Sequence, residues 1–290
     1  MAQRVGWIGL GTMGGPMAGH VLRSGVALTV WNRTVSKTEA LRELGADVAE
    51  DPRALAERCD TVILCINRTE DVAAQIEAMG DALRPGALVI DHSTISPVGA
   101  QAIAESLAVR GIEFVDAPVT GGSMGAQNGT LTVFLGGTEA ACERARPIIR
   151  PYSARAERVG PSGAGQRMKV ANQIAVGGAL LALCESFAFA QKAGLDLAQT
   201  RALVGSGAGG SWAIEHYGKK ILGEDWSPGF SIKNQRKDFG YCAEAAAAVD
   251  ASLPGTRLVD ALLAAQEAEG LGESTTARLF EYLLSRGFAD

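Results

Sequence analysis

Four clusters in this 290-residue chain have residue types and spacings that could do chemistry. Gly9-Leu10-Gly11-Thr12-Met13-Gly14 places glycines where a tight turn must bring backbone N–H groups close to an anion. Asn32-Arg33-Thr34, with Lys37 one helical step on, offers a guanidinium fork and hydrogen-bond donors where a dinucleotide site often has a carboxylate for the ribose 2′-hydroxyl. That substitution favours a 2′-phosphate, hence NADP(H) over NAD(H). Thr120-Gly121-Gly122 supplies a hydroxyl and two unhindered N–H groups, a concavity suited to a carboxylate. Lys169 and Asn172 are spaced i, i+3, with Gln166 and Gln173 nearby on an otherwise apolar helix. A lysine partly withdrawn from water has its pKa lowered, which suits proton exchange near neutrality. The alternative is a lysine that snorkels out of a buried helix.

The first half must position these clusters through alternating elements. Apolar runs at 5–10, 27–31, 61–66, 87–90, 113–115 and 131–135 alternate with helix-like stretches at 14–24, 36–44, 52–58, 70–82 and 97–110. This pattern predicts βαβ units and a parallel sheet covered on both faces. Asp51-Pro52 and Ser96-Pro97 read as helix starts, with proline at the first helical position. The glycine fingerprint follows the first strand and opens a helix, the context a dinucleotide fold of Rossmann type requires.

Past Pro161-Ser162-Gly163 strand-like runs nearly vanish. Residues 164–193 read as one helix, ~45 Å long, apolar on most sides and expected to be buried. Helices are also predicted at 196–206, 211–222, 233–249, 255–269 and 273–286. The reading is therefore an α/β dinucleotide-binding domain over residues 1–161 followed by an all-helical domain for substrate and assembly over 162–290.

Composition narrows the function classes. With 47% hydrophobic and 20% charged residues the chain reads as globular, and the net charge of −5 argues against nucleic acid as the main partner. No apolar run reaches the ~18–20 residues of a membrane span, and MAQRVGWIGLGTMGG lacks the long uninterrupted apolar region of a secretory signal. Five scattered cysteines without a CxxC pair, and three histidines without HExxH spacing, argue for reduced thiols and against a metal site. A cytoplasmic protein is expected.

Four blocks, in order along the chain, carry a resemblance: GLGTMGGPMA at 9–18, DAPVTGG at 116–122, GQRMKVAN at 165–172, and Lys237-Asp238. Together they resemble the β-hydroxyacid dehydrogenase family, which includes 3-hydroxyisobutyrate dehydrogenase and glyoxylate/succinic semialdehyde reductases. The departures are Gln173 where the family commonly has a second Asn, Ile66-Asn67 where it often has Leu-Pro, and Thr120 where it often has Ser. They leave the reaction class intact and the substrate open.

The resemblance implies roles. Lys169 would be the general acid/base, with Asn172 and Thr120 beside it in catalysis. Thr120, Gly121, Gly122, Asn172 and Trp212 would hold the substrate, Trp212 as an aromatic wall. The cofactor would meet Gly9 to Gly14, Asn32, Arg33, Thr34, Lys37, the Cys65-Ile66-Asn67 segment, Thr94 and Lys237. For Lys233, Arg236 and Lys237 a solvated helix face is the plainer reading, and for Trp212 an ordinary core position.

The implied activity is NADP-dependent hydride transfer to or from a small β-hydroxy acid or semialdehyde acid, at a site between the two domains. The alternatives are an imine reductase of the same architecture, disfavoured by lysine at 169, and a non-catalytic NADP-binding module, disfavoured by the Lys169/Asn172 pair. Neither nucleic acid nor membrane is expected as a partner. The small apolar residues of the helical half point to a homodimer or homotetramer.

Overall fold

Strand and helix alternate through the first half because short β-branched runs separate amphipathic stretches with well-placed caps. The computed structural model describes residues 4–286. Its contacts divide the chain into two units, residues 1–169 and 170–290.

The first unit runs β1 (Arg4–Ile8), α1 (Gly14–Arg23), β2 (Ala27–Trp31), α2 (Glu39–Glu43), β3 (Asp47–Val48), α3 (Pro52–Arg58), β4 (Thr61–Leu64), α4 (Thr69–Met79), β5 (Leu88–Asp91), α5 (Pro97–Ala108), β6 (Glu113–Asp116), β7 (Val119–Thr120), α6 (Gly122–Asn128), β8 (Leu131–Gly136), α7 (Glu139–Ile149) and β9 (Ser153–Gly160). The sheet order is β3-β2-β1-β4-β5-β6-β8-β7, with β9 on β8. Strands β1 to β6 pair in parallel, and β8 runs antiparallel to β6 and β7. The order reverses between β1 and β4, the switch point at which open α/β sheets bind ligands.

Both sheet faces are buried. Val5 and Trp7 of β1 pack with Met17 and Val21 of α1 on one face, while Ile8 packs with Leu55, Val72 and Ile103 of α3, α4 and α5 on the other. The expected proline starts are present: Asp51 accepts from Ala54 N at 2.7 Å, and Ser96 accepts from Gly99 N at 3.2 Å.

Several elements depart from the sequence reading. Strand β9 has no counterpart in the sequence pattern, because its SARAERVG residues are half-buried or exposed and show no apolar run. Helix α6 begins inside the Gly-Gly segment that reads as a turn, and α7 continues through Pro147. Strand β1 stops at Ile8, short of Leu10, because Gly9 turns to φ +98°.

Helix α8 (Ala164–Lys192) leads into the second unit, which continues with α9 (Leu197–Gly205), α10 (Trp212–Leu222), α11 (Ile232–Ala247), α12 (Pro254–Gln266) and α13 (Leu279–Leu284). Its core gathers Leu180, Leu183 and Phe187 of α8 with Tyr217, Phe239, Leu263 and Phe280. α8 is not buried all round: Ala171, Ala175, Gly178, Ala182 and Phe189 are exposed. Against the expectation from the sequence, α8 is by length and composition apolar enough to cross a membrane, because its few polar residues are spread along 29 residues. In this fold its apolar length supplies core.

Candidate active site

At the switch point, glycine is dictated by close approach. A Cβ on Gly9 would lie 2.3 Å from the Cys65 carbonyl oxygen, and one on Gly14 would lie 2.0 Å from the Gly9 carbonyl oxygen. Gly11 differs: nothing lies within 4 Å of its would-be Cβ, and Gly11 and Thr12 are exposed. No side chain caps α1, and the Trp7 indole donates to Gly9 O at 3.0 Å. An open backbone cradle at an uncapped helix start fits a pyrophosphate.

Asn32 has a structural job beside the one read in the sequence. Its Oδ1 accepts from Leu10 N at 2.8 Å and its Nδ2 donates to Thr34 O at 2.8 Å. It braces the fingerprint turn against the end of β2, and the second N–H of this half-buried amide is left for a ligand. Arg33, Thr34 and Lys37 are exposed, and neither cation makes an ion pair among the described residues.

The ends of β4, β5 and β6 meet the first turns of α8. Ser93 Oγ accepts from Ile66 N at 2.9 Å, and the half-buried Thr94 lies between Ser93 and Ile95, both bonded to the Gln166 side chain. Asp116 Oδ1 accepts from Gly163 N at 2.7 Å and Oδ2 from Gln166 N at 2.9 Å. Burial pushes the Asp116 carboxyl up to about 7 against the pull of these N–H donors. His92 is buried between Ala117 O at 2.6 Å and the Tyr152 hydroxyl at 2.7 Å, and burial lowers its pKa to about 4. A carbonyl only accepts, so the neutral imidazole carries its proton on Nδ1 and the Tyr152 hydroxyl donates to Nε2.

Lys169 is 8% exposed, and its Nζ donates to Val119 O at 2.8 Å. The snorkelling reading fails, because the ammonium turns inward onto the backbone at Val119. Thr120 is half-buried next in sequence, Gly121 lies at φ +125°, and Gly122 is the first residue of α6. The Gly-Gly step is therefore the start of a short helix.

In the second unit a side-chain chain runs from Asn172. Its Nδ2 donates to Gln173 Oε1 at 2.9 Å, and Gln173 Nε2 donates to Asp238 Oδ2 at 2.7 Å. Asp238 Oδ1 stands 3.1 Å from Lys237 Nζ, with both side chains almost wholly buried. Lys237 is thus no solvated-face lysine. Lys233 and Arg236 do lie toward solvent and pair with Glu273, Asp260 and Glu267. Trp212 opens α10, 42% exposed, its ring stacked on His216 at 4.1 Å and edge-on to Tyr217. The ordinary-core reading of Trp212 does not hold.

Residues 4–160 match the NAD binding domain of 6-phosphogluconate dehydrogenase, and residues 163–283 match the NAD-binding domain of NADP-dependent 3-hydroxyisobutyrate dehydrogenase. The chain belongs to the β-hydroxyacid dehydrogenase family. A probable 3-hydroxyisobutyrate dehydrogenase-like 1 protein of Arabidopsis thaliana is 36% identical, the alignment covering 95% of this chain and 84% of that one. The 2-hydroxy-3-oxopropionate reductase of Escherichia coli is 35% identical over 87% of each chain. The crystal structure of 3-hydroxyisobutyrate dehydrogenase from Salmonella typhimurium superposes with a TM-score of 0.90 at 28% identity, covering 97% of this chain and 99% of that one. The protein is a nicotinamide-dependent oxidoreductase of the hydroxyacid dehydrogenase type, acting on a small molecule.

Three residues of this dehydrogenase stand out in the structure more than in its sequence. Asp116 is seen in the sequence only as part of a motif, and Gln166 only as a neighbour of Lys169 on a helix face. Asp238 is seen only as the second residue of the Lys237-Asp238 block. Asp116 closes strand β6, and Gln166 and Asp238 stand on helices next to Arg167 and Lys237, so their burial in the fold, and not a local pattern, marks them as polar groups that must find partners.

Proposed function

We propose that this dehydrogenase is NADP(H)-dependent and acts on a small β-hydroxy acid or semialdehyde acid, of the 3-hydroxyisobutyrate, glyoxylate or succinic semialdehyde type. The observation that carries the reading is the buried Lys169 ammonium, held on the carbonyl of Val119 immediately before Thr120. NADP(H), when bound, supplies or accepts the hydride. Lys169 Nζ, in its neutral form, takes the hydroxyl proton when the substrate is oxidised, and as the ammonium returns a proton to the carbonyl oxygen on reduction. Thr120, Gly121 and Gly122 hold the substrate carboxylate, Asn172 orients the substrate, and Trp212 limits its size. The pyrophosphate takes the turn from Gly9 to Gly14, with Cys65, Ile66, Asn67, Thr94 and Lys237 along the remainder of the cofactor. Arg33, Lys37 and Thr34 take the 2′-phosphate, a choice supported by their exposure and by the lack of a carboxylate at the end of β2.

We further propose a homodimer or homotetramer built on the helical unit. None of the α9 residues is buried, and Leu203 and Phe189 are 66% and 70% exposed. Apolar surface of this kind favours a partner copy.

The test is a rate screen with NADPH and NADH over glyoxylate, succinic semialdehyde, tartronate semialdehyde and cyclic imines. Turnover of an acid aldehyde with NADPH at least about tenfold faster than with NADH is the expected result, and Arg33→Ala should erase most of that preference. Equal rates with both cofactors in the wild type would overturn the NADP assignment, and turnover confined to the imines would overturn the substrate class.

A further inference from the structure

We propose that Gln166 is a positioning residue for Lys169, fixing the first turns of α8 against the loop after β5 so that the ammonium stands at one place. The inference rests on the general acid/base reading of Lys169 above. Gln166 is fully buried, and three of its polar groups are bonded within the first unit. Its Nε2 donates to Ser93 O at 2.8 Å, its Oε1 accepts from Ile95 N at 3.2 Å, and its backbone N–H donates to Asp116 Oδ2 at 2.9 Å. The amide has only one possible orientation here, since a carbonyl oxygen cannot donate and a backbone N–H cannot accept. Ser93 extends the connection through its hydroxyl to Ile66 N, and Asp116 extends it to Gly163 N. The ends of β4, β5 and β6 are thereby joined to one turn of helix, and Lys169 is the next turn.

Two glycines permit this approach. A Cβ on Gly136 would lie 2.4 Å from Asp116 Oδ1, and one on Gly165 would lie 2.5 Å from the carbonyl oxygens of Asp116 and Phe134. The helix start is pressed against β6 and β8 with no slack, and Gln166 sets its register against the 93–95 loop. A methionine would fill the same volume and strand the Ser93 carbonyl and the Ile95 N–H without partners. A glutamate would act as a switch. Protonated, it donates to Ser93 O and accepts from Ile95 N–H as the amide does; ionised, it sets an oxygen against an oxygen.

The experiment compares wild type, Gln166→Glu and Gln166→Met across pH 5–9. It reads kcat, thermal midpoint, and the NMR signal of Lys169 in lysine-labelled protein without cofactor, assigned by its loss in Lys169→Met. Positioning predicts that Q166E keeps near-wild-type kcat at the acid end and loses about 10- to 100-fold as pH rises, over and above the change that wild type shows as the adjoining Asp116, near Arg167 and with a pKa of about 7, titrates. The Lys169 signal should move over the same range, and Q166M should show the low kcat at every pH. A Q166E profile parallel to wild type with an unmoved Lys169 signal would overturn the proposal, as would variants that lose thermal stability but keep kcat. If Q166M does not fold, Q166E decides alone. If wild type turns over no hydroxy acid, the reading of function fails, and the Lys169 signal still decides the positioning.

Discussion

The two units hold their polar groups in different ways. In the first, the cradle from Gly9 to Gly14 is made of backbone, held open by glycines that a Cβ would close, and Lys169 itself rests on a backbone carbonyl. In the second, Asn172 is held by a side chain, Gln173, which is held by another, Asp238, beside Lys237. Backbone cradles depend on steric allowance and tolerate varied side chains around them. Side-chain chains depend on polarity: a carboxylate only accepts, so Gln173 must present its NH2 to Asp238 and its oxygen to Asn172. The first arrangement breaks by crowding and the second by losing charge or direction.

The sharpest way to break the contrast is in the second unit. Asp238→Ala removes the carboxylate facing Lys237 and Gln173, and should cost about 3–5 kcal/mol in urea unfolding, because one member of a buried ion pair is removed. A loss below about 1 kcal/mol would mean that this chain does not hold the unit together. In the first unit the comparable buried group is His92, whose folded pKa of about 4 lies below the ordinary 6.5. Below pH 6.5 the unfolded chain takes up a proton that the folded chain refuses, so this group's contribution is lost as pH falls from 6.5 to about 4. The loss amounts to about 3 kcal/mol. Asp116 acts with opposite sign: its folded pKa of about 7 lies above the ordinary 3.8, so stability from this group is lost as pH rises from about 4 to 7. Urea unfolding of wild type and His92→Gln from pH 7 to 4 separates the two, and the variant should lack the acid loss seen against wild type. Parallel curves would contradict the His92 assignment. Smaller still is Gly14→Ala, which should lower stability by about 1–3 kcal/mol through crowding at Gly9 O, and weaken NADPH binding measured by fluorescence. An unchanged midpoint and Kd would show that the turn has more room than its geometry indicates.

The same contrast explains what could be read from the sequence. Strand β2 and helix α3 fall at 27–31 and 52–58 as their apolar run and Asp-Pro cap predict, because local pattern and tertiary burial agree there. Strand β9 is not legible, since its exposed Arg155, Glu157 and Arg158 carry no period of buried residues. Helix α6 was hidden behind glycines that usually end elements. At the site, the glycine spacing and the i, i+3 pair of Lys169 and Asn172 are local and legible. The partners Val119, Ser93 and Asp238 lie 50, 73 and 65 residues from the side chains they bind, and no local pattern encodes such distances. Asn32 shows a further limit: its type and place suggest a ligand contact, and nothing local announces that its amide also ties Leu10 to Thr34.

Lys169→Ala tests the central claim most directly. Its kcat with NADPH and the best acid aldehyde should be compared with wild type, alongside the NADPH Kd. Loss of a general acid/base predicts a kcat lower by about 10²- to 10⁴-fold with the NADPH Kd within about threefold of wild type. A kcat within a few-fold of wild type would contradict the account and leave Lys169 as a residue of structure only.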